Sequence, residues 1–551
     1  MNKTLLPLLL LAASISVAQP EVSKLESLKK EATVEVEKNA ILGQQINDML
    51  FSFSELGFQE VETFTYLTTL LEKNGFKIER GVAGIPTAWI ARWSFGSGKP
   101  VIALGSDVDC IPKASQKPGV SYHDPIVEGA PGHGEGHNSG QSVNILSALA
   151  LKKIMEREKI SGTIMLWPGV AEELVATKAY YVRAGYFKDV DACIFTHVDD
   201  NLAVNYGDAG YNGVVSVRFN FEGVAAHAAG APWRGKSALD AVELMNIGWN
   251  YRREHLPLTH RSHYVIPDGG DQPNVVPSKA AVWYYFRDRT YPDIKKLFDA
   301  GIKIAEGAAL MTDTKFTYEI LGSAWPGHFN KPIAEAMYEN IKKVGLPQWS
   351  AEDQLLAKAT QLEMKATKIE GLAKKLDTLG LPSPTGPVNY MGRQLMAMGG
   401  GSDDIADISW TVPTVVLRYP SNIPDLPGHH WSNAISMATP IAHKGIVAGA
   451  RAEVMTLLDM LLKPEILTNA WMYYREEQTK DQQYIPLVGE KDQPAVYLNK
   501  KIMAEFAPKL KPLYYNPAKY KTYLEQLNIT YPTVRPDQLE AIKKLEEKAK
   551  K

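Results

Sequence analysis

The chain has 551 residues, 45% apolar and 22% charged, the composition of an ordinary folded protein long enough for more than one domain. Its 60 Lys and Arg stand against 62 Asp and Glu, so no basic excess points to nucleic acid or to an anionic membrane surface. Cys110 and Cys193 are the only cysteines, which excludes a disulfide framework, and no bridge between them is expected.

At the N-terminus Lys3 precedes an apolar run, Leu5 to Ala13, and the small residues Ser16-Val17-Ala18 precede Gln19. This is the pattern of a secretory leader, residues 1–18, cut after Ala18, and it predicts a periplasmic or secreted protein. The run is too short to span a bilayer, and no cysteine follows the cut, so no membrane anchor is expected.

From Lys24 to about Phe76 apolar residues return three and four apart, which predicts helix, with Gly75 closing the segment. Four hydrophobic runs then share one feature, a potential ligand at the carboxyl end. Val101 to Leu104 leads to Asp107 and Asp109, and Thr163 to Trp167 leads to Glu172-Glu173. Ala192 to Phe195 leads to His197, and Thr414 to Leu417 leads through a loop to Gly428-His429-His430-Trp431. Helical patterns at Ile145 to Met155 and Glu173 to Ala184 separate the first three, which predicts mainly parallel strands with both faces covered. In such sheets ligands gather at the carboxyl edge. A glycine-rich loop, Pro131-Gly132-His133-Gly134-Glu135-Gly136-His137-Asn138-Ser139-Gly140, opens the helix at Gln141 and crowds imidazole and carboxylate into a tight turn, as a zinc, manganese or cobalt site requires.

The middle of the chain changes character. Val215, Val217, Phe219 and Phe221 alternate with polar residues, then come a helix from Ser237 to about Arg252, strands near His263 to Ile266 and Ala281 to Phe286, a helix from Tyr291 to Leu310 and a strand from Lys315 to Ile320. That order is βαββαβ, an antiparallel α+β unit inserted into the first domain. The expected organisation is a catalytic domain over 19–212 and 324–463, a lid or dimerisation domain over 213–323, a helical pair inserted at about 350–380, and a helical C-terminal extension over 464–551 without a motif. The fold class is α/β: a mixed, mostly parallel sheet flanked by helices, with the α+β insert.

Taken together, the motifs resemble a known family. Leu56-Gly57-Phe58-Gln59-Glu60, Glu135-Gly136-His137-Asn138, Ala171-Glu172-Glu173, Phe195-Thr196-His197, Ala226-His227-Ala228-Ala229, Pro273-Asn274-Val275-Val276-Pro277 and Gly428-His429 before Trp431 look like the dinuclear-metal amidohydrolases related to aminoacylases and carboxypeptidase G, and within them the aminobenzoyl-glutamate hydrolase branch. The resemblance implies a zinc-peptidase-like catalytic domain in which Glu135, His137, Glu173, His197 and His429 hold two divalent cations, with His430 as the alternative to His429. It also implies that Glu172 is the general acid/base toward a metal-bridged water, and that Asp109 and Asp107 support the ligands rather than bind directly. His227 of the lid is the expected oxyanion donor, Asn274 and Arg287 the expected substrate contacts, and a homodimer the expected assembly. One departure stands out: Glu135 occupies the place where the family usually has cysteine, which moves the preferred metal from zinc toward manganese or cobalt.

The expected activity is hydrolysis of an amide in an N-acyl or N-aroyl amino acid such as p-aminobenzoyl-glutamate. A dipeptidase or aminoacylase of other specificity is the near alternative, and a non-catalytic metal-binding carrier is the rival from another class. A nucleobase deaminase is excluded, because His133-Gly134-Glu135 is followed by no Pro-Cys-x-x-Cys.

Overall fold

The computed structural model describes residues 18–208, 211–379 and 400–549. Of the expected leader 1–18 only Ala18 falls within them, as the first residue of the helix Ala18–Lys38, and the end of the expected insert at 380 lies outside them. No helix among the described residues is long and apolar enough to cross a membrane.

The four ligand-bearing runs are the centre of one seven-stranded sheet. Its order is Lys77–Arg80, Trp89–Phe95, Gly162–Gly169, Val101–Asp107, Ala192–Asp199, Thr414–Pro420, Ala203–Val204. The four middle strands pair in parallel and the flanking pairings are antiparallel, so the sheet is mixed with a parallel core. Every residue of Val101–Asp107 and Gly162–Gly169 is buried, as befits strands sandwiched between helices on both faces. The helices Gly140–Glu158 and Pro440–Leu462 pack against each other and against Ala18–Lys38. The predicted N-terminal helical stretch is divided into Ala18–Lys38, Ala40–Phe53 and Val61–Lys73.

A second sheet, antiparallel throughout, runs in the order Lys315–Ala324, Gly213–Glu222, Lys279–Asp288, Arg261–Asp268, with the helices Ala238–Arg252 and Tyr291–Thr312 packed on it. Ser237 caps the first helix by accepting the amide of Asp240 at 3.1 Å, as its place before an apolar run predicts. The order of elements is the predicted βαββαβ.

Two expectations are corrected. The stretch at 350–380 holds one helix, Ala351–Glu363, and no second helix among its described residues. Its later part is irregular because side chains take over the backbone bonding: Gln361 and Gln354 accept the amides of Gly371 and Leu372 at 2.9 Å each. Likewise the helix expected from Glu173 begins only at Lys178; Glu172 and Glu173 lie in a separate single turn, Glu172–Leu174. The extension past Leu462 mixes helices, among them Pro464–Tyr473, Lys500–Leu510 and Pro536–Ala549, with an irregular stretch over 479–499.

Glu453, on the helix Pro440–Leu462, is fully buried and neither carboxyl oxygen has a hydrogen-bond partner among the described residues. Burial pushes its carboxyl up to about 8, against an ordinary 4.5 in the unfolded chain. The folded state therefore holds a proton that the unfolded state gives up, and stability falls as pH rises between these two values. Glu453→Gln is expected to remove that slope, at most about 1.4 kcal/mol per pH unit, and to raise stability at pH 8. Urea titrations at pH 5 and pH 8 test it; a variant with the wild-type difference between the two refutes the assignment.

Candidate metal centre

The glycine loop is fastened before the helix Gly140–Glu158 begins. Asn138 donates to the Asn47 side-chain oxygen at 2.8 Å and to the Met437 carbonyl at 2.9 Å. Gln141, in the first turn, donates to the carbonyls of Ser106 and Trp167 at 3.0 Å each, tying the helix start to two strand ends. Gly136 has φ of +115°, and a Cβ there would stand 2.5 Å from the Met437 sulfur, so the turn both needs left-handed freedom and has no room for a side chain. The loop after Thr414–Pro420 docks alongside, with the His430 amide on the Gly134 carbonyl at 3.2 Å.

This brings together the residues expected to hold metal. His429 Nε2 lies 2.9 Å from Glu135 Oε2 and 3.6 Å from Glu173 Oε2. His197 Nε2 lies 3.5 Å from Glu135 Oε1, and His137 lies 3.8 Å from both Glu135 and Glu173. Donor atoms of Glu135, Glu173 and His429, and of Glu135, His137 and Glu172, fall within 4.8 Å of one another. His430 instead turns away, its ring 4.9 Å from that of Trp431 and its Nδ1 accepting the Ser432 amide at 3.3 Å, so His429 is the one that reaches the cluster. His133 is also turned away, its Nε2 on the Leu50 carbonyl at 3.1 Å, and burial lowers its imidazole to about 3.

The donors fit a cation. Both ring nitrogens of buried His137 lack a hydrogen-bond partner among the described residues, an arrangement that costs about 1–3 kcal/mol for each orphaned polar atom unless something else meets it. Burial opposes charge on His137, yet Asp109, Glu135, Asp107 and Glu173 hold it well above the ordinary imidazole range. The hydrogen bond to Glu135 raises His429 to about 9. The cluster thus favours added positive charge. His197 is the exception, brought down to about 4 by burial and by Arg418. Its Nδ1 lies 2.8 Å from the Val198 carbonyl and 2.7 Å from Arg418 Nη1, contacts that ask for opposite tautomers. Either way Nε2, on the side of Glu135, is the ring nitrogen that faces the cluster.

Glu172 and Glu173 divide by position. Ala171 before them is left-handed, with φ of 54° and ψ of 38°, and Val175 after them is left-handed at φ of 48°, an unfavourable conformation for a β-branched residue. Within this turn Asp109 accepts both amides, Glu172 at 3.2 Å and Glu173 at 3.1 Å. Glu172 and Glu173 both line a cavity of about 260 Å³ whose wall also includes Arg287, Tyr285, Tyr211 and Arg418. A Glu173 carboxylate oxygen lies 3.6 Å from His429 Nε2 and another 3.8 Å from His137, while a Glu172 oxygen groups both with Glu135 and His137 and with Asp403 and Asp404. Burial, then Asp107 and Asp403, pushes the Glu172 carboxyl well above the usual glutamate range. Asp109 therefore supports the turn, whereas Asp107 is bound mainly to Lys178, at 2.6 Å.

Not every expected residue is here. Arg287 lines the cavity, donating to Ser402 Oγ at 3.2 Å and stacking over Tyr285. His227 and Asn274 sit together on the lid, linked through the Ala228 amide and the Asn274 carbonyl at 3.0 Å, and neither is buried. Neither lines the cavity. Sequence reading missed Arg418, Tyr211 and Lys178. A lone arginine inside the apolar run Thr414–Pro420 was a usable signal; Lys178 and Tyr211 carried none.

Comparison with known proteins bears on these residues. The peptidase dimerisation domain profile matches residues 210–310. The chain is 31% identical over 458 residues to a subunit of the p-aminobenzoyl-glutamate hydrolase of Escherichia coli (strain K12), covering 80% of this chain and 94% of that protein. It is 26% identical over 461 residues to Xaa-Arg dipeptidase of Mus musculus, covering 82% and 93%. Among solved structures, a putative aminohydrolase from methicillin resistant Staphylococcus aureus superposes with a TM-score of 0.52 at 17% identity, over 79% of this chain and all of that one. An aminobenzoyl-glutamate utilization protein from Klebsiella pneumoniae gives 0.50 at 16%, over 80% and 97%, and these two likenesses speak to the fold.

Proposed function

Because the chain belongs to the M20 family of metal-dependent amidohydrolases and peptidases, we propose that it cleaves the amide of an N-acyl or N-aroyl amino acid of the p-aminobenzoyl-glutamate kind. The observation that carries this reading is the convergence of Glu135, Glu173, His197 and His429 around His137, whose two ring nitrogens have no partner among the described residues, with the Glu172 carboxyl beside them on the cavity wall. Those five residues would hold two divalent cations, which would supply a Lewis acid for the amide carbonyl and lower the pKa of the attacking water. Glu172 takes the proton of that water and returns it to the leaving nitrogen, as a carboxyl buried beside the cluster and lining the cavity can do. Asp109 holds the backbone of the turn so that Glu172 and Glu173 keep separate directions. Arg287, whose Nε has no partner among the described residues, receives the substrate carboxylate. His227 and Asn274 act only when the lid moves toward the cavity.

The oxygen of Glu135 in place of sulfur supports manganese or cobalt over zinc. Glu135→Cys is expected to lower the ratio of manganese to zinc affinity at least about tenfold, read by titrating metal-free protein with each ion. An unchanged ratio refutes that preference. A homodimer is supported by the exposed edge strand Arg261–Asp268, with Tyr264, Val265 and Ile266 uncovered, and by Ile247 and Tyr251 exposed on the helix Ala238–Arg252. The leader pattern of residues 1–18 supports export.

A dipeptidase is the second reading, favoured by the likeness to Xaa-Arg dipeptidase. Metal analysis together with a panel of p-aminobenzoyl-glutamate, N-acetyl and N-benzoyl amino acids and unblocked dipeptides separates the readings. Release of glutamate from p-aminobenzoyl-glutamate by protein holding two equivalents of metal is the expected result. Cleavage of dipeptides alone selects the second reading, and no cleavage with both metals bound leaves a carrier.

A further inference from the structure

The catalytic turn is strained at both ends, so something outside it must hold its shape. What lies behind it is the loop Leu56–Glu60. Glu60 Oε1 accepts the amide of left-handed Ala171 at 2.9 Å and that of Phe58 at 3.0 Å, while its Oε2 accepts the Thr87 hydroxyl at 2.8 Å. Gly57 is pressed so closely that a Cβ on it would stand 2.8 Å from Ala171 Cα and 3.1 Å from Asp109 Oδ2. The loop therefore touches both the turn and the carboxylate that binds the amides of Glu172 and Glu173.

The other side of this loop is covered by the C-terminal extension. Asn499 Nδ2 donates to the Gly57 carbonyl at 3.0 Å. Gln59 Nε2 donates back to the carbonyls of Leu498 at 2.8 Å and Val496 at 3.3 Å. Met503, on the helix Lys500–Leu510, is buried with Leu56 and Cys110, the residue that follows Asp109 in the segment after the strand Val101–Asp107. These contacts converge on one loop, from a part of the chain more than 430 residues away.

We propose that the C-terminal extension is a clamp on the catalytic turn: Asn499, and Met503 beside it, hold the Leu56–Glu60 loop against Ala171 and thereby position Glu172 and Glu173. Asn499 is a positioning residue, acting through Gly57 and Ala171 without reaching the cavity. The clamp rests on the amide-hydrolase reading for its kinetic consequence only.

Asn499 is itself left-handed, with φ of 64°, so Asn499→Gly removes the amide donor while keeping a compatible backbone. Asn528→Gly is the control, a left-handed asparagine at φ of 54° elsewhere in the extension. The expected result for Asn499→Gly is about tenfold faster amide hydrogen exchange over 170–176, and about tenfold lower kcat with KM and Tm unchanged. Exchange in the strand Val101–Asp107 should not move, and the control should change neither quantity. Wild-type exchange and kcat in Asn499→Gly, or equal changes in the control, overturn the clamp. Gln59→Ala, which releases the same loop from Val496 and Leu498, carries the test if the first variant fails to fold. Should wild-type protein cleave no amide, the functional reading fails, and the exchange measurement alone decides the clamp.

Discussion

Glu172→Gln is expected to lower kcat by about 10²–10⁴-fold, the range that a positioned general base contributes, which is roughly 3–5 kcal/mol of barrier. The amide of glutamine keeps the volume and polarity of the side chain but cannot take a proton. The change should therefore strike turnover without emptying the site, because Glu135, His137, Glu173, His197 and His429 are untouched. In the metal-free site, burial with Asp107 and Asp403 nearby raises the Glu172 carboxyl above the ordinary glutamate range, and cations bound beside it would act in the opposite direction. An acidic limb of kcat/KM carried by Glu172 is expected to disappear in the variant. Metal content by mass spectrometry beside steady-state kinetics makes the measurement. A variant that keeps both metals and full turnover removes Glu172 from the mechanism.

Lys178→Met is the second large effect, and it falls on stability. Lys178 is wholly buried, with its ammonium 2.6 Å from Asp107, bonded also to Asp404 and 3.7 Å from Asp403. Burial opposes its charge, but Asp107 and Asp404 hold it well above the ordinary lysine range. Removing one partner of such a group leaves buried carboxylates uncompensated, at a cost of about 3–5 kcal/mol. Asp107 is already raised to about 8, by burial first and against the pull of Lys178, so loss of the ammonium would drive the carboxyl further toward the neutral form. Urea denaturation at pH 7 reads the change, and a loss under about 1 kcal/mol would show that the network relaxes around the gap. Asp404 also accepts the amides of Thr177 and Lys178 at 3.1 Å each, which ties the helix Lys178–Ala184 to the segment after 400.

Sequence patterning resolved the parallel core because each of its strands carries an apolar run of four or five residues with a potential ligand at or beyond its carboxyl end, a signature that survives without any knowledge of neighbours. It resolved the inserted βαββαβ unit for the same reason: alternation in Val215 to Phe221 and helical periodicity in Ser237 to Arg252 are local properties. It failed for the second helix of the 350–380 insert, where two glutamines, Gln354 and Gln361, capture backbone amides that a helix would have used. It failed also for the start of the helix after Glu173, because the turn Glu172–Leu174 is held by Asp109, 63 residues earlier.

The identity of the chemistry was carried by the short motifs taken together, through their resemblance to a known family, since a glycine-rich loop with imidazole and carboxylate is by itself equally a surface turn. The sequence therefore named, through that resemblance, candidate metal ligands and, through its apolar runs, the strands that present them. Only the tertiary structure decided that His429 rather than His430 reaches the cluster, that Arg418 and Tyr211 join the cavity wall, and that Asn499 stands behind the catalytic turn. Each of those outcomes depends on distances between segments remote in the chain, set by how the sheet, the lid and the extension pack, and no local pattern encodes a distance.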